Sequence, residues 1–217
     1  MKKQPFTRDD KKAKIRRTII RVAADLFERH GFENTSVDDI AAEAEVSRST
    51  FYRYFPVKEQ VAFPTHEEYV ARFRELLTAN HNADTPLLTV RRAFQAMAEL
   101  YTADREAHFR RMRIISASPA LVARSVTLDQ DWEIAIAAAW RGKLGRIPNA
   151  DWQAGMAAGA IMGVVNFAMS KWYRGECREN LLDFIDPAFE LLNRGLGSAT
   201  DQSSHGTPAR QKRGRKK

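Results

Sequence analysis

Apolar residues recur along this chain at helical spacing, with no convincing alternating strand. In "RRTIIRVAADLFERHG" Ile19, Val22, Leu26 and Phe27, with Ile15 upstream, mark one face at i, i+3, i+4 intervals. This predicts a helix from Asp10 to His30, ended by Gly31 in the left-handed conformation. Ser36 with Asp39 three residues on reads as an acidic capping box, and Val37, Ile40, Ala41 and Ala44 give the short helix behind it an apolar side. Ser47 caps the next helix, Arg48 to Tyr54, which Pro56 stops. Lys58 and Glu59 open a longer helix to Thr78. Further helices are predicted at 87–102, 104–116, 119–145, 150–174 and 180–195. Pro119 starts one of them, and Pro187 kinks or splits the last. The fold class is all-α. The domains read as an arm over 1–9, a helix-turn-helix unit over 10–60, a larger helical domain over 61–197, and a disordered basic tail over 198–217.

Charge sharpens this division. The net charge is +8, and the excess basic residues lie at the two ends of the chain. The segment from 205 onward carries six Lys and Arg and no acid, while the middle is nearly balanced. Basic ends on a neutral body point to a polyanion, and solubility alone is the rival explanation. The tail "KRGRKK" has an R-G-R centre similar to a minor-groove AT-hook, and Lys2 and Lys3 could reach a groove from the other end. The most apolar stretch, 154–169, is shorter than a membrane span and is interrupted by Asn166. With a polar opening and a single cysteine, Cys177, the expectation is a soluble cytoplasmic protein without disulfides and without a membrane partner.

On a helical wheel, residues 48–55 divide into two surfaces. Phe51 and Phe55 share the side that docks on the first helix. Ser49 and Arg53 lie opposite, flanked by Thr50 and Tyr54 on one side and by Arg48 and Tyr52 on the other. That outer side offers hydroxyls, phenols and guanidiniums, with no carboxylate before Glu59. Arginine takes the guanine edge with two parallel bonds, and hydroxyls suit bases or phosphates. Helix N-termini near Thr35–Ser36, Ser47 and Lys58 each favour a phosphate and could follow one backbone path.

The stretch "AADLFERHGFENTSVDDIA" through "AEVSRSTFYRYFPVKEQV" resembles the TetR family of transcriptional regulators. The resemblance covers residues 12–62. It implies a homodimer, with two reading heads on a palindromic double-stranded DNA operator. Carried over by position, Thr35 and Lys58 would touch phosphates, as would Ser36 at its helix N-terminus. Ser47, Tyr52 and Tyr54 would mainly touch the backbone, and Arg48, Ser49, Thr50 and Arg53 would face base edges. Where the family usually has Gly in the turn, this chain has Glu45, which would be strained if its φ is positive. A helical interaction protein whose helix-turn-helix has lost DNA is the alternative reading.

The second half also resembles an actinobacterial subgroup with acyl-CoA-like ligands, through "ASPALVAR", a Trp shortly after it, and "KWYRGECRENLLDFIDPAFELLNRGL". Candidate effector contacts are Met97, Tyr101, Phe109, Met112, Arg113, Trp132, Ile136, Trp140 and Phe167, for a small apolar effector. The arginine-rich run "REAHFRRMR" could meet an anionic group at the cavity mouth. Gly155, Gly159 and Gly163, four apart, with Met162, Phe184 and Phe189, are the expected dimer face, a four-helix bundle across a two-fold axis. As an enzyme the chain is poor. "HEEYV" lacks the second His of a zinc protease, Cys177 has no neighbouring His or Cys, and "RGKLGR" follows no strand. No cofactor and no metal is expected.

Overall fold

In the computed structural model, residues 7–79, 85–145 and 147–195 are described. Among them nine α-helices and a short 3-10 turn carry the fold. The first three form the N-terminal unit: α1 (Arg8–His30), α2 (Val37–Glu43) and α3 (Arg48–Tyr54). Thr7 caps α1 reciprocally with Asp10, so the helix begins two residues earlier than the apolar pattern implies. Gly31 ends it with φ 83° and ψ 158°. The positive φ is as expected, but ψ is extended rather than left-handed helical. Ser36 and Asp39 form the expected capping box, and Ser47 accepts from Thr50 N at 3.1 Å.

Between α2 and α3 the chain turns at Glu45, whose φ is 54°. The turn closes through Val46 N donating to Ala41 O at 2.9 Å. Glu45 therefore has a positive φ, which costs a residue with a Cβ more than it costs Gly. Glu45→Gly is expected to stabilise the protein by about 1 kcal/mol, read as a higher midpoint in urea.

The predicted helix from Lys58 to Thr78 is instead two pieces. Lys58–Ala62 is a 3-10 turn, and α4 runs from His66 to Thr78. The break lies at Phe63–Thr65, where buried Pro64 has no N–H to give and forces Phe63 out of helical dihedrals, to φ −120° and ψ 53°. The remaining helices lie close to their predicted bounds: α5 (Pro86–Ala103), α6 (Arg105–Ser116), α7 (Pro119–Leu144), α8 (Ala150–Arg174) and α9 (Leu182–Arg194). Thr85, Asp104 and Ser118 cap α5, α6 and α7, with Pro86 and Pro119 at the first turn of their helices. Pro187 neither splits α9 nor ends it. Both Pro187 and Asp183, whose carbonyl loses its helical donor, face solvent.

Two apolar cores result. The first packs α1–α3 around Ile19, Ile40, Phe51 and Phe55. The second packs α4, α5, α7, α8 and α9 around Phe73, Phe94, Trp132, Ile136, Trp172 and Phe189. The sequence-based boundary at 60/61 is crossed at two places. Val61 and Ala62 of the 3-10 turn pack into the N-terminal core. Ile114 and Ile115 of α6 and Leu121 of α7 belong to the N-terminal core. The expected arm over residues 1–6 and the basic tail fall outside the described residues; Thr7, Arg8 and Asp9 belong to the α1 cap and first turn.

Candidate DNA-reading surface and effector cavity

The outer side of α3 is assembled by its caps and its inward anchors. Phe51 and Phe55 are buried with ring centroids 5.8 Å apart, which fixes the helix against α1. Arg48, Ser49, Tyr52 and Arg53 are exposed, while Thr50 and Tyr54 are half-buried. The Ser47 hydroxyl lies 2.9 Å from those of both Ser49 and Thr50, a hydroxyl cluster at the helix start. The Arg53 guanidinium stacks 5.5 Å from the Tyr54 ring, and among the described residues it has no ion pair. Arg48 lies 5.7 Å from the Tyr52 ring and 3.1 Å from an Asp38 oxygen.

Two expected phosphate ligands are turned inward. The Thr35 side chain is buried and donates to Gly31 O at 2.8 Å, so it locks the loop before α2 and has no free path outward. Lys58 Nζ donates to Phe32 O at 2.8 Å and Thr35 O at 2.9 Å, and it sits 3.9 Å from the Phe32 ring centre. Two of its three protons are therefore committed to the fold. Ser36 remains exposed at the start of α2.

In the larger domain a cavity of about 390 Å³ opens between α4, α5, α6, α7 and α8. Of the expected effector contacts, Met97, Tyr101, Met112 and Trp132 line it. Ile136 does not; it is fully buried in the core of the larger domain. Phe109 and Trp140 pack beside the core instead, Arg113 faces solvent, and Phe167 is 65% exposed on the far side of α8. Size and apolarity find large residues, but they do not tell which side of a doubly packed helix encloses space.

Apolar spacing does not reveal the polar end of the cavity. Tyr69 Oη lies 3.4 Å from His108 Nε2, and the Tyr101 ring lies 4.7 Å from the His108 ring. Burial, reinforced by nearby Arg111, lowers the His108 pKa to about 4, so it is neutral at neutral pH. Burial also raises the Tyr69, Tyr101 and Tyr173 phenols, which stay protonated. Arg111 lines this end and donates to Thr65 Oγ1 at 3.4 Å. Asp129 lines the cavity too, bonded to Asn166 Nδ2 at 2.9 Å, with its pKa raised by burial. The one sequence signal for the Arg111 position was the arginine-rich run. Arg113, the member named from it, sits two residues away, about 200° around the helix. Cys177 is buried and its thiol is raised to about 11, which removes it as a nucleophile at neutral pH.

The expected dimer face divides in the same manner. Gly155, Gly159 and Gly163 lie exposed along α8, beside exposed Trp152, Met156 and Phe167. Met162 and Phe189 are buried in the chain's own core, and Met162 lines the cavity, so neither is open to a partner. Phe184 is half-buried against that core. The cause is rotation: Met162 is one residue from Gly163, about 100° around α8. Among the described residues no group of His, Cys, Asp or Glu could hold a metal ion, and no helix is long and apolar enough to cross a membrane.

Comparisons with known proteins identify the family of the chain. Residues 19–63 match the model for bacterial regulatory proteins of the tetR family, and residues 84–197 match the MftR C-terminal domain. The chain is 30% identical to the Mycobacterium tuberculosis regulator MftR, assigned to mycofactocin biosynthesis, over 81% of this chain and 87% of that protein. It is 31% identical to the regulator TcmR of Streptomyces glaucescens, over 66% of this chain and 62% of that one. The crystal structure of Thermus thermophilus FadR, a TetR family repressor in complex with lauroyl-CoA, has a similar fold. The TM-score is 0.57 at 22% identity, over 83% of this chain and 94% of that chain. The chain therefore belongs to the TetR family of transcriptional regulators, with an MftR-type C-terminal domain, and is a DNA-binding regulator rather than an enzyme.

Proposed function

We propose that this protein is a ligand-responsive repressor that binds a palindromic operator as a homodimer and is released by a small apolar effector. One observation carries the reading: α6 belongs to the cavity and to the reading head at once. His108, Arg111, Met112 and Ile115 line the cavity. On the same helix Arg110 pairs with Asp25 and Glu28 of α1, and Ile114 and Ile115 enter the N-terminal core. An effector that displaces α6 must therefore also displace α1, on which α3 rests. The effector we infer is an acyl chain, free or as a thioester. It is supported by the sequence resemblance of the second half and by the adaptable wall of Met97, Met112, Met162 and Met169.

A second copy is the occupant we assign to the exposed side of α8. A Cβ built on Gly155, Gly159 or Gly163 would meet no atom within 4 Å. Packing within the chain thus gives no return for three helical glycines, each costing about 1 kcal/mol relative to Ala. Close approach by another helix does.

The test is operator selection from random duplexes, followed by titration with acyl chains and acyl-CoA. A palindromic motif, lost on adding one of these ligands, is the expected result. A protein that selects no motif would be the helical interaction protein with a degenerate reading head. Arg110→Ala removes two ion pairs that are about one-third exposed, for about 1 kcal/mol after solvent screening. It should leave the selected motif intact while weakening the response of DNA binding to the ligand at least several-fold, measured by fluorescence anisotropy. An unchanged response would place the coupling elsewhere.

A further inference from the structure

The carboxylate of Asp38 stands beside the outer side of α3. It lies on α2, exposed, with Oδ2 3.1 Å from Nη1 of Arg48 at the start of α3. The two residues are ten apart and belong to different helices. The Tyr52 ring, 5.7 Å from the guanidinium carbon, flanks Arg48 as well. Arg53, the other exposed arginine of α3, has no carboxylate partner among the described residues.

Stability does not account for this pair. Both side chains are about 64% exposed, in the range where ion pairs contribute little to folding. Ser36 and Asp39 cap α2, and Asp38 in its first turn gains about 0.3–1 kcal/mol from the helix dipole whether or not Arg48 is near. Against that small return stands a definite cost, because a carboxylate beside a reading helix repels the phosphates of the duplex.

The geometry does have a use in recognition. An arginine at a DNA surface is drawn to phosphates as well as to bases, and a phosphate contact carries no sequence information. Asp38 occupies Nη1 and opposes phosphate approach. This leaves the Nε–Nη2 edge of Arg48, whose two parallel donors match O6 and N7 of guanine. Holding the side chain before binding also removes part of the entropy lost on ordering it in the groove. We propose that Asp38 is a specificity-determining residue of this regulator: it positions Arg48 for a guanine in each half-site, at the expense of general DNA affinity. The proposal rests on the reading that α3 enters the major groove.

The experiment is binding-site selection with the full chain and its Arg48→Ala, Asp38→Asn and Asp38→Glu variants, alongside affinity for random-sequence duplex. Wild type should enrich a guanine in each half-site, and Arg48→Ala should lose it. Asp38→Asn should reduce the preference for that guanine roughly tenfold, leave the other positions of the motif intact, and bind random duplex more tightly. Asp38→Glu should keep the preference. A guanine preference that survives Asp38→Asn overturns the proposal, as does loss of the whole motif with a lowered thermal midpoint, which marks a purely structural role. If wild type selects a motif that Arg48→Ala leaves unchanged, the positioning idea fails while the DNA-reading function stands. If wild type selects nothing, both fail.

Discussion

Phe51→Ala is expected to remove about 3–5 kcal/mol from the N-terminal unit and to abolish DNA binding. Phe51 is completely buried, and it holds α3 through Phe55 and the surrounding Ile19 and Ile40. A unit of this size has a total stability of only several kcal/mol, so such a cavity takes most of it. The four tryptophans, 132, 140, 152 and 172, all lie in the larger domain. This allows the two cores to be followed separately in urea. Far-UV circular dichroism should show an early transition in the variant, while the tryptophan fluorescence midpoint moves much less. Coincident, unshifted transitions would show that α3 does not depend on this ring. The separation will be incomplete, because Ile114, Ile115 and Leu121 tie the second domain to the first core.

Lys58→Met should be the next largest effect, and it tells fold from recognition. The ammonium group bonds the Phe32 and Thr35 carbonyls and covers the Phe32 ring. Two charge-assisted bonds, at a half-buried site that water partly reaches, are together worth about 2–3 kcal/mol. Methionine keeps the length of the side chain and leaves both carbonyls without this donor. The expected outcome is a stability loss of that size in urea, with weaker binding to specific and random DNA alike. A residue whose main role is to meet a phosphate would give the opposite pattern, with stability intact and the salt dependence of binding reduced by about one ion. The prediction fails if the urea midpoint is unchanged.

These two residues illustrate how far the sequence reaches. Spacing alone puts Phe51 on the inner face, four residues from Phe55. The chemistry of Lys58 permits a phosphate contact, and its position matches the family. Its partners are backbone carbonyls more than twenty residues upstream, which no pattern of side chains records. Pro64 is a different case. The signal that breaks the predicted Lys58–Thr78 helix was in the sequence, but the apolar periodicity runs through it and hides the break. Asp38 could have been noticed as an acid on an otherwise donor-rich surface. That it meets Arg48 follows only from the angle between α2 and α3.

The all-helical class, the caps, most helix bounds and the division of α3 into an inner and an outer side are written in the order of residues. Each depends on neighbours within about four residues, and local dihedral preferences and apolar spacing are written at that range. Packing between helices sets which large residues enclose the cavity, that Arg111 rather than Arg113 faces it, that Met162 and Phe189 are core, and that α6 is shared between the cavity and the N-terminal core. Those outcomes turn on helix rotations of about 100° per residue and on contacts between segments far apart in the chain. An apolar residue satisfies either side of a helix that is packed on both, so composition leaves the choice open and packing makes it.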